Sequence, residues 1–172
     1  LYHEVPTNGI GYLDLMFDLK NLAPDKVPYL GLLKSVLGYV DTAHYTYGEL
    51  SNEINAETGG IACGVEVFDR ADSVDEYRAF FGVKGKVMYP KMDVLFRMIR
   101  EILNTSDVTD TRRLHEIISR VKSRAQSSLV SAGHSTAVLR AASYASPMAA
   151  FQDEMAGIGY YQFIEQLEKD FD

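Results

Sequence analysis

Three short stretches carry residue types that could do chemistry at a useful spacing. His115-Glu116-Ile117-Ile118 opens the zinc-helix pattern H-E-x-x-H, in which two imidazoles one turn apart hold the metal and the glutamate acts as base. The second ligand position is Ser119, whose hydroxyl cannot replace imidazole, so the pattern reads as a His-Glu pair on a helix surface. Gly133-His134-Ser135-Thr136-Ala137 resembles the nucleophile elbow G-x-S-x-G. An elbow needs a strand before it and a histidine after the serine. Here a helical pattern precedes it and no histidine follows His134, so it reads as a helix–helix junction with Ser135 as a cap. Ser119-Arg120-Val121-Lys122 fits S-x-x-K, a serine-nucleophile pattern, but its companions S-D-N and K-T-G are absent.

The remaining reactive side chains are scattered. Cys63 has no neighbouring histidine and reads as a buried, inert thiol. His3, His44, His115 and His134 lie far apart and make no spaced ligand pair. Gly82 and Gly85 do not form a dinucleotide fingerprint, and no P-loop is written. Arg112, Arg113, Arg120, Lys122 and Arg124 read as a solvated basic helix face, with gripping of an acidic partner as a subsidiary role. Catalytic, cofactor-binding and metal residues are all assigned as none.

Composition narrows the class. The 172 residues are 47% hydrophobic and 24% charged, as in a soluble globular domain able to bury a core. A net charge of −7 argues against nucleic acid or an anionic membrane as partner. One cysteine rules out an internal disulfide and fits a reducing compartment. No apolar run reaches membrane-spanning length, and no signal peptide is visible. The chain starts at Leu1 without an initiator methionine and reads as an excised or processed piece of a larger protein.

The elements that must position these residues come in blocks. Ile10–Leu19 alternates, with Leu13, Leu15, Phe17 and Leu19 on one face, as a half-buried strand does. Pro24–Thr42 is the most continuously apolar helical stretch. Leu30, Leu33, Leu37 and Val40 make one face, and Tyr29, Leu32 and Val36 widen it. Gly31 and Gly38 sit on one side of that helix, a disposition that predicts close approach of another backbone. Thr46 and Glu49 form a capping box opening a helix to Glu57, which Thr58-Gly59-Gly60 ends. Ile61–Phe68 and Tyr77–Met88 read as strands, with bulges allowed at Gly82 and Gly85. Pro90–Leu103 is a helix with Met92, Leu95, Phe96, Ile99 and Leu103 on its stripe. Thr111–Ala132 is a long helix broken at Gly133. Another runs from Ser135, kinks at Pro147 and resumes to Met155, and Tyr160–Lys169 closes after a turn at Gly157–Gly159. Blocks of strands and helices favour an α+β fold over residues 1–172, with an antiparallel or mixed sheet and helices on one face.

Several stretches together resemble the insulinase-type zinc metallopeptidases, in particular the presequence-protease branch. These are Thr7–Leu19, Val27–Leu33, Tyr45–Asn55 and Thr58–Ile61, with a dense match from about Val5 to Ile61 and a looser one through Tyr77–Leu103 and the helices after Thr111. Gly133-His134 and Gly157–Tyr161 also look like that branch. The resemblance implies four related α+β domains in two halves, closing around a chamber in which peptides are degraded. It places zinc in the first domain, on an inverted helix H-x-x-E-H. This chain resembles the third domain, which repeats the fold without that helix. Tyr29 would stand at the first ligand, Leu32 at the glutamate and Leu33 at the second ligand, so these residues are expected to pack and the chain alone to be inactive. The implied role is a non-catalytic domain that walls the chamber. Its partners would be the other domains of the same polypeptide and a peptide substrate. The alternative is a zinc-less assembly subunit of the same fold. The implied compartment is the cytoplasm, or an organelle matrix in a eukaryote.

Overall fold

Three strands make the sheet in this computed structural model, which describes residues 6–171. They are β1 (Ile10–Asp18), β2 (Ile61–Arg70) and β3 (Ser73–Met88), in the order β1-β3-β2. Tyr89 N–H donates to Gly9 O at one end of the β1–β3 pair, and Leu19 N–H donates to Ala79 O at the other. The sheet is therefore antiparallel, and with the helices it gives the α+β class. β3 is one continuous strand that begins at Ser73. Phe17, assigned by alternation to the buried face of β1, is exposed. The described residues divide into two compact units.

The first unit takes the chain up to Met16, with Leu37–Gly64 and Gly82–Asp107. Its helices are α2 (Tyr47–Glu57) and α3 (Met92–Thr105), the latter led in by a 3-10 turn at Tyr89–Lys91. Both halves of the capping box form. Thr46 Oγ1 accepts from Glu49 N–H at 3.3 Å, and Glu49 Oε2 accepts from Thr46 N–H at 2.9 Å. On α3 the buried residues Leu95, Met98, Ile99 and Ile102 follow one helical face. Phe96, assigned to the stripe from sequence, is 48% exposed, because the true 3.6-residue period runs through Met98 and Ile102. Leu50, Met98 and Ile102 form one buried cluster, with Tyr45, Ile54 and Ile61 against them.

The second unit takes Phe17–Val36, Val65–Phe81 and the chain from Val108. α1 (Val27–Val36) packs against α4 (Thr111–Ser131), α6 (Pro147–Ala156) and α7 (Ile158–Lys169), while α5 (Gly133–Ala142) joins α4 to α6. A helix apolar around much of its circumference is thus covered on several sides. The helix predicted over Pro24–Thr42 is shorter than expected. Pro24–Lys26 is a 3-10 turn and the α-helix stops at Val36.

The two glycines of this stretch differ, one serving a contact and the other the helix end. A Cβ on Gly31 would lie 2.6 Å from Tyr160 Cε2 and 2.8 Å from Met155 O, so here another backbone does approach closely. Gly38 has nothing within 4 Å of such a Cβ. It adopts φ +82°, and the chain leaves the helix there.

Three further expectations change. Pro147 does not kink a helix but begins α6, where its missing N–H needs no partner and Ser146 accepts from Ala149 N–H. Ser135 lies inside α5, exposed, and caps nothing. Gly157–Gly159 is not a free turn, since α7 already starts at Ile158.

Candidate functional site

The first turns of α1 are where the family resemblance would put chemistry. Buried Val27 and Pro28 lead into this turn. The Tyr29 ring meets Phe163 edge-on, centroids 4.8 Å apart, and Lys26 Nζ stands 5.6 Å from the Tyr29 centroid. Leu32 packs on the cluster of Ile118, Tyr160 and Ile164. Leu33, expected within the apolar face, is 36% exposed. The two isobutyl side chains of Leu32 and Leu33 offer no lone pair to a metal and no proton to a substrate, and the Tyr29 phenol before them, 47% exposed, meets one aromatic ring edge-on. Zinc does not fit this turn. One turn on, burial lowers the Lys34 ammonium below its ordinary range.

The other patterns resolve into packing and ion pairs. Glu116 is held by Arg113 at 3.0 Å, with Arg112 at 3.8 Å, and the His115 ring rests 5.5 Å from that of Phe171. Ser119 and Lys122 both bond to Glu168, so S-x-x-K ties α4 to α7. The Lys122 hydrogen bond, followed by that of Ser119, lowers the Glu168 carboxyl, and Glu168 in turn raises Lys122. Lys122 therefore does not belong to the solvated basic face. Cys63 is half-buried and its thiol is pushed up to about 11 by burial, leaving it a poor nucleophile. His134 is exposed, and His3 and Val5 lie outside the described residues. Among the described residues, no group of three or more His, Cys, Asp or Glu gathers as a metal would require.

Sequence reasoning missed two buried carboxylates. Glu101 on α3 accepts from His44 N–H at 3.0 Å and from His44 Nδ1 at 3.0 and 3.1 Å. Burial raises its pKa, but hydrogen bonds from Thr42, His44 and Thr105 more than reverse this and hold it at about 2. His44 lies 57 residues away, where no local pattern points to it. Asp153 is 1% exposed. It accepts from Arg140 Nη1 at 2.7 Å, Ile158 N–H at 3.0 Å and Gly159 N–H at 3.1 Å. Asp153 thereby joins α5, α6 and the first turn of α7, and raises Arg140 ahead of Tyr144. An acidic residue shortly before a helix start is the one local signal that could have found it. Both carboxylates are engaged on every side by protein donors, which suits fastening and not proton transfer.

Comparison with known proteins gives a consistent set. The family model described as peptidase M16C associated matches residues 1–167. The chain is 32% identical over 170 residues to Protein HypA of Clostridium perfringens, covering 99% of this chain and 18% of that protein. It is 30% identical over 162 residues to the mitochondrial presequence protease of Yarrowia lipolytica, covering 94% of this chain and 16% of that protein. With presequence protease 1, chloroplastic/mitochondrial, of Arabidopsis thaliana it shares 29% identity over 175 residues, covering 100% of this chain and 16% of that protein. The chain spans 16–18% of the length of these curated relatives. Among the described residues no helix is long and apolar enough to cross a membrane.

Proposed function

This chain belongs to the peptidase M16C associated family, related to the presequence proteases, and we propose that it is a non-catalytic structural domain of a zinc-dependent, peptide-degrading metallopeptidase. In this reading, residues 1–172 form one α+β domain of a larger polypeptide, help to wall the substrate chamber and have the other domains of that polypeptide as partners. Zinc is held by the parent's first domain. No residue of this chain ligates it or transfers a proton to substrate. The parent works in the cytoplasm, or in an organelle matrix where its source has one, as the names of the mitochondrial and chloroplast relatives suggest.

The observation that carries the reading is the use of α1. On the family resemblance, Tyr29, Leu32 and Leu33 would stand where the inverted zinc helix has its first ligand, its glutamate and its second ligand. The first two are spent on contacts with Phe163 and with the Ile118–Tyr160–Ile164 cluster. Zinc content and cleavage of an unfolded peptide, measured on the whole parent and on this chain alone, test it. The parent is expected to bind zinc and cleave, and this chain to do neither. Stoichiometric zinc with hydrolysis by this chain would overturn the non-catalytic assignment. A parent without zinc or cleavage would move the assignment to an assembly subunit of the same fold.

A further inference from the structure

Lys84 and Lys86 stand two residues apart on β3 and so project from one face of the sheet, opposite the buried Val83 and Val87. Together with Tyr12 and Asp14 of β1 and with Gly60 and Ala62, they line an open groove of about 420 Å³ within the first unit. That size falls in the range of small-ligand sites.

The two lysines are in different electrostatic positions. Lys84 Nζ lies 3.5 Å from Asp14 Oδ2. Lys86 has no ion-pair partner among the described residues, although the chain as a whole carries a net charge of −7. Its position is nevertheless fixed. Gly59 N–H donates to Lys86 O at 2.8 Å and Lys86 N–H to Gly60 O at 3.3 Å. A Cβ on Gly59 would lie 2.7 Å from Lys86 Cγ, so the lysine stem rests directly on the glycine backbone. A held stem places an uncompensated ammonium at the margin of a groove whose other charged lining groups, Lys84 and Asp14, face each other.

We propose that this groove binds the C-terminal end of a peptide, with the terminal carboxylate on Lys86 and an apolar last side chain over Ala62 beside Tyr12. In a peptide C-terminus the carboxylate and the last side chain leave the same carbon, so one short groove with one free cation accommodates both. A side-chain carboxylate brings only its own methylene stem, with no separate apolar side chain branching beside it, and fits less well. The proposal rests on the reading of the parent as a peptide-degrading enzyme.

The test is titration of this chain with N-acetyl-Leu-Phe, with its C-terminal amide and with N-acetyl-Glu-amide, following the backbone amide resonances of Gly59, Gly60, Ala62 and Gly85. The free acid is expected to shift these signals and to bind about three- to tenfold more tightly than either amide. Lys86→Gln should abolish that preference, and Ala62→Phe, which fills the groove from an exposed position, should remove binding of all three. Unchanged signals, equal binding of acid and amide, or a preference that survives Lys86→Gln would overturn the proposal. Cleavage by the whole protein is scored separately. Cleavage without binding here sinks only the groove, and binding without cleavage sinks only the peptidase reading.

Discussion

Among the described residues each of the two units buries one carboxylate, and the two are held by different means. In the first unit Glu101 is met by hydroxyls, a loop N–H and the imidazole of His44, whose side chain is 72% exposed. In the second, Asp153 is met by a guanidinium and by two N–H groups of a starting helix. One carboxylate fastens a loop to a helix, while the other joins three helices at a single point. One glycine from each unit shows a parallel difference. Gly38, in the first unit, serves a change of backbone direction, whereas Gly31, in the second, serves contact between elements. At these two positions the first unit solves a problem of local conformation and the second a problem of close helix packing.

Truncation at Asp153 should produce the largest effect if that contrast is right. Asp153→Ala leaves the Ile158 and Gly159 N–H groups without their acceptor, Gly159 being buried, and should cost about 3 kcal/mol in urea unfolding. A cost below about 1 kcal/mol would mean that water replaces the carboxylate, and the junction would then not depend on it.

Glu101 should respond to acid instead. Its folded pKa of about 2 lies below the ordinary 4.5, so its contribution is complete above pH 4.5 and is lost as pH falls toward 2. Urea midpoints measured between pH 7 and pH 3 should fall more steeply for the natural chain than for Glu101→Gln below pH 4.5. Parallel curves would show that the His44 and threonine bonds do not favour the charged form.

The glycines give a graded pair. Gly31→Ala forces a Cβ against Met155 O and the Tyr160 ring, and should cost about 2 kcal/mol. Gly38→Ala meets no atom but keeps a left-handed backbone, at a cost of about 1 kcal/mol. A reversed order of unfolding midpoints would contradict the division between contact and conformation.

What could be read from sequence follows the range of the forces involved. The α2 start was legible because Thr46 and Glu49 satisfy each other within one turn. The strands were legible from their alternation, and the break at Gly133 from its residue type. The end of α1 was not, because Leu37 and Val40 continue an apolar period that is satisfied by burial after the helix has stopped. Leu33 and Phe96 were misplaced for a related reason, since periodicity gives the width of an apolar arc but not which part of it a neighbour covers. At the candidate site, the lack of donors at Leu32 and Leu33 could be read directly. The ties of Lys122 to Glu168 and of Glu101 to His44 span 46 and 57 residues and needed the fold.

The smallest effect concerns a group the tight packing around Gly31 leaves unsatisfied. Tyr160 is 5% exposed, and among the described residues its hydroxyl has no hydrogen-bond partner. Burial raises the phenol pKa, so the group stays neutral. The ring carbons make the contacts with Gly31 and stack near Phe163, and the oxygen makes none of them. Tyr160→Phe therefore retains the packing and removes a buried polar atom. It should leave stability unchanged or raise it by up to about 1 kcal/mol. A loss of similar size would show that the hydroxyl is bonded to a buried water. The close contact between α1 and the neighbouring helices would then include a polar element, which would blur the contrast between the two units.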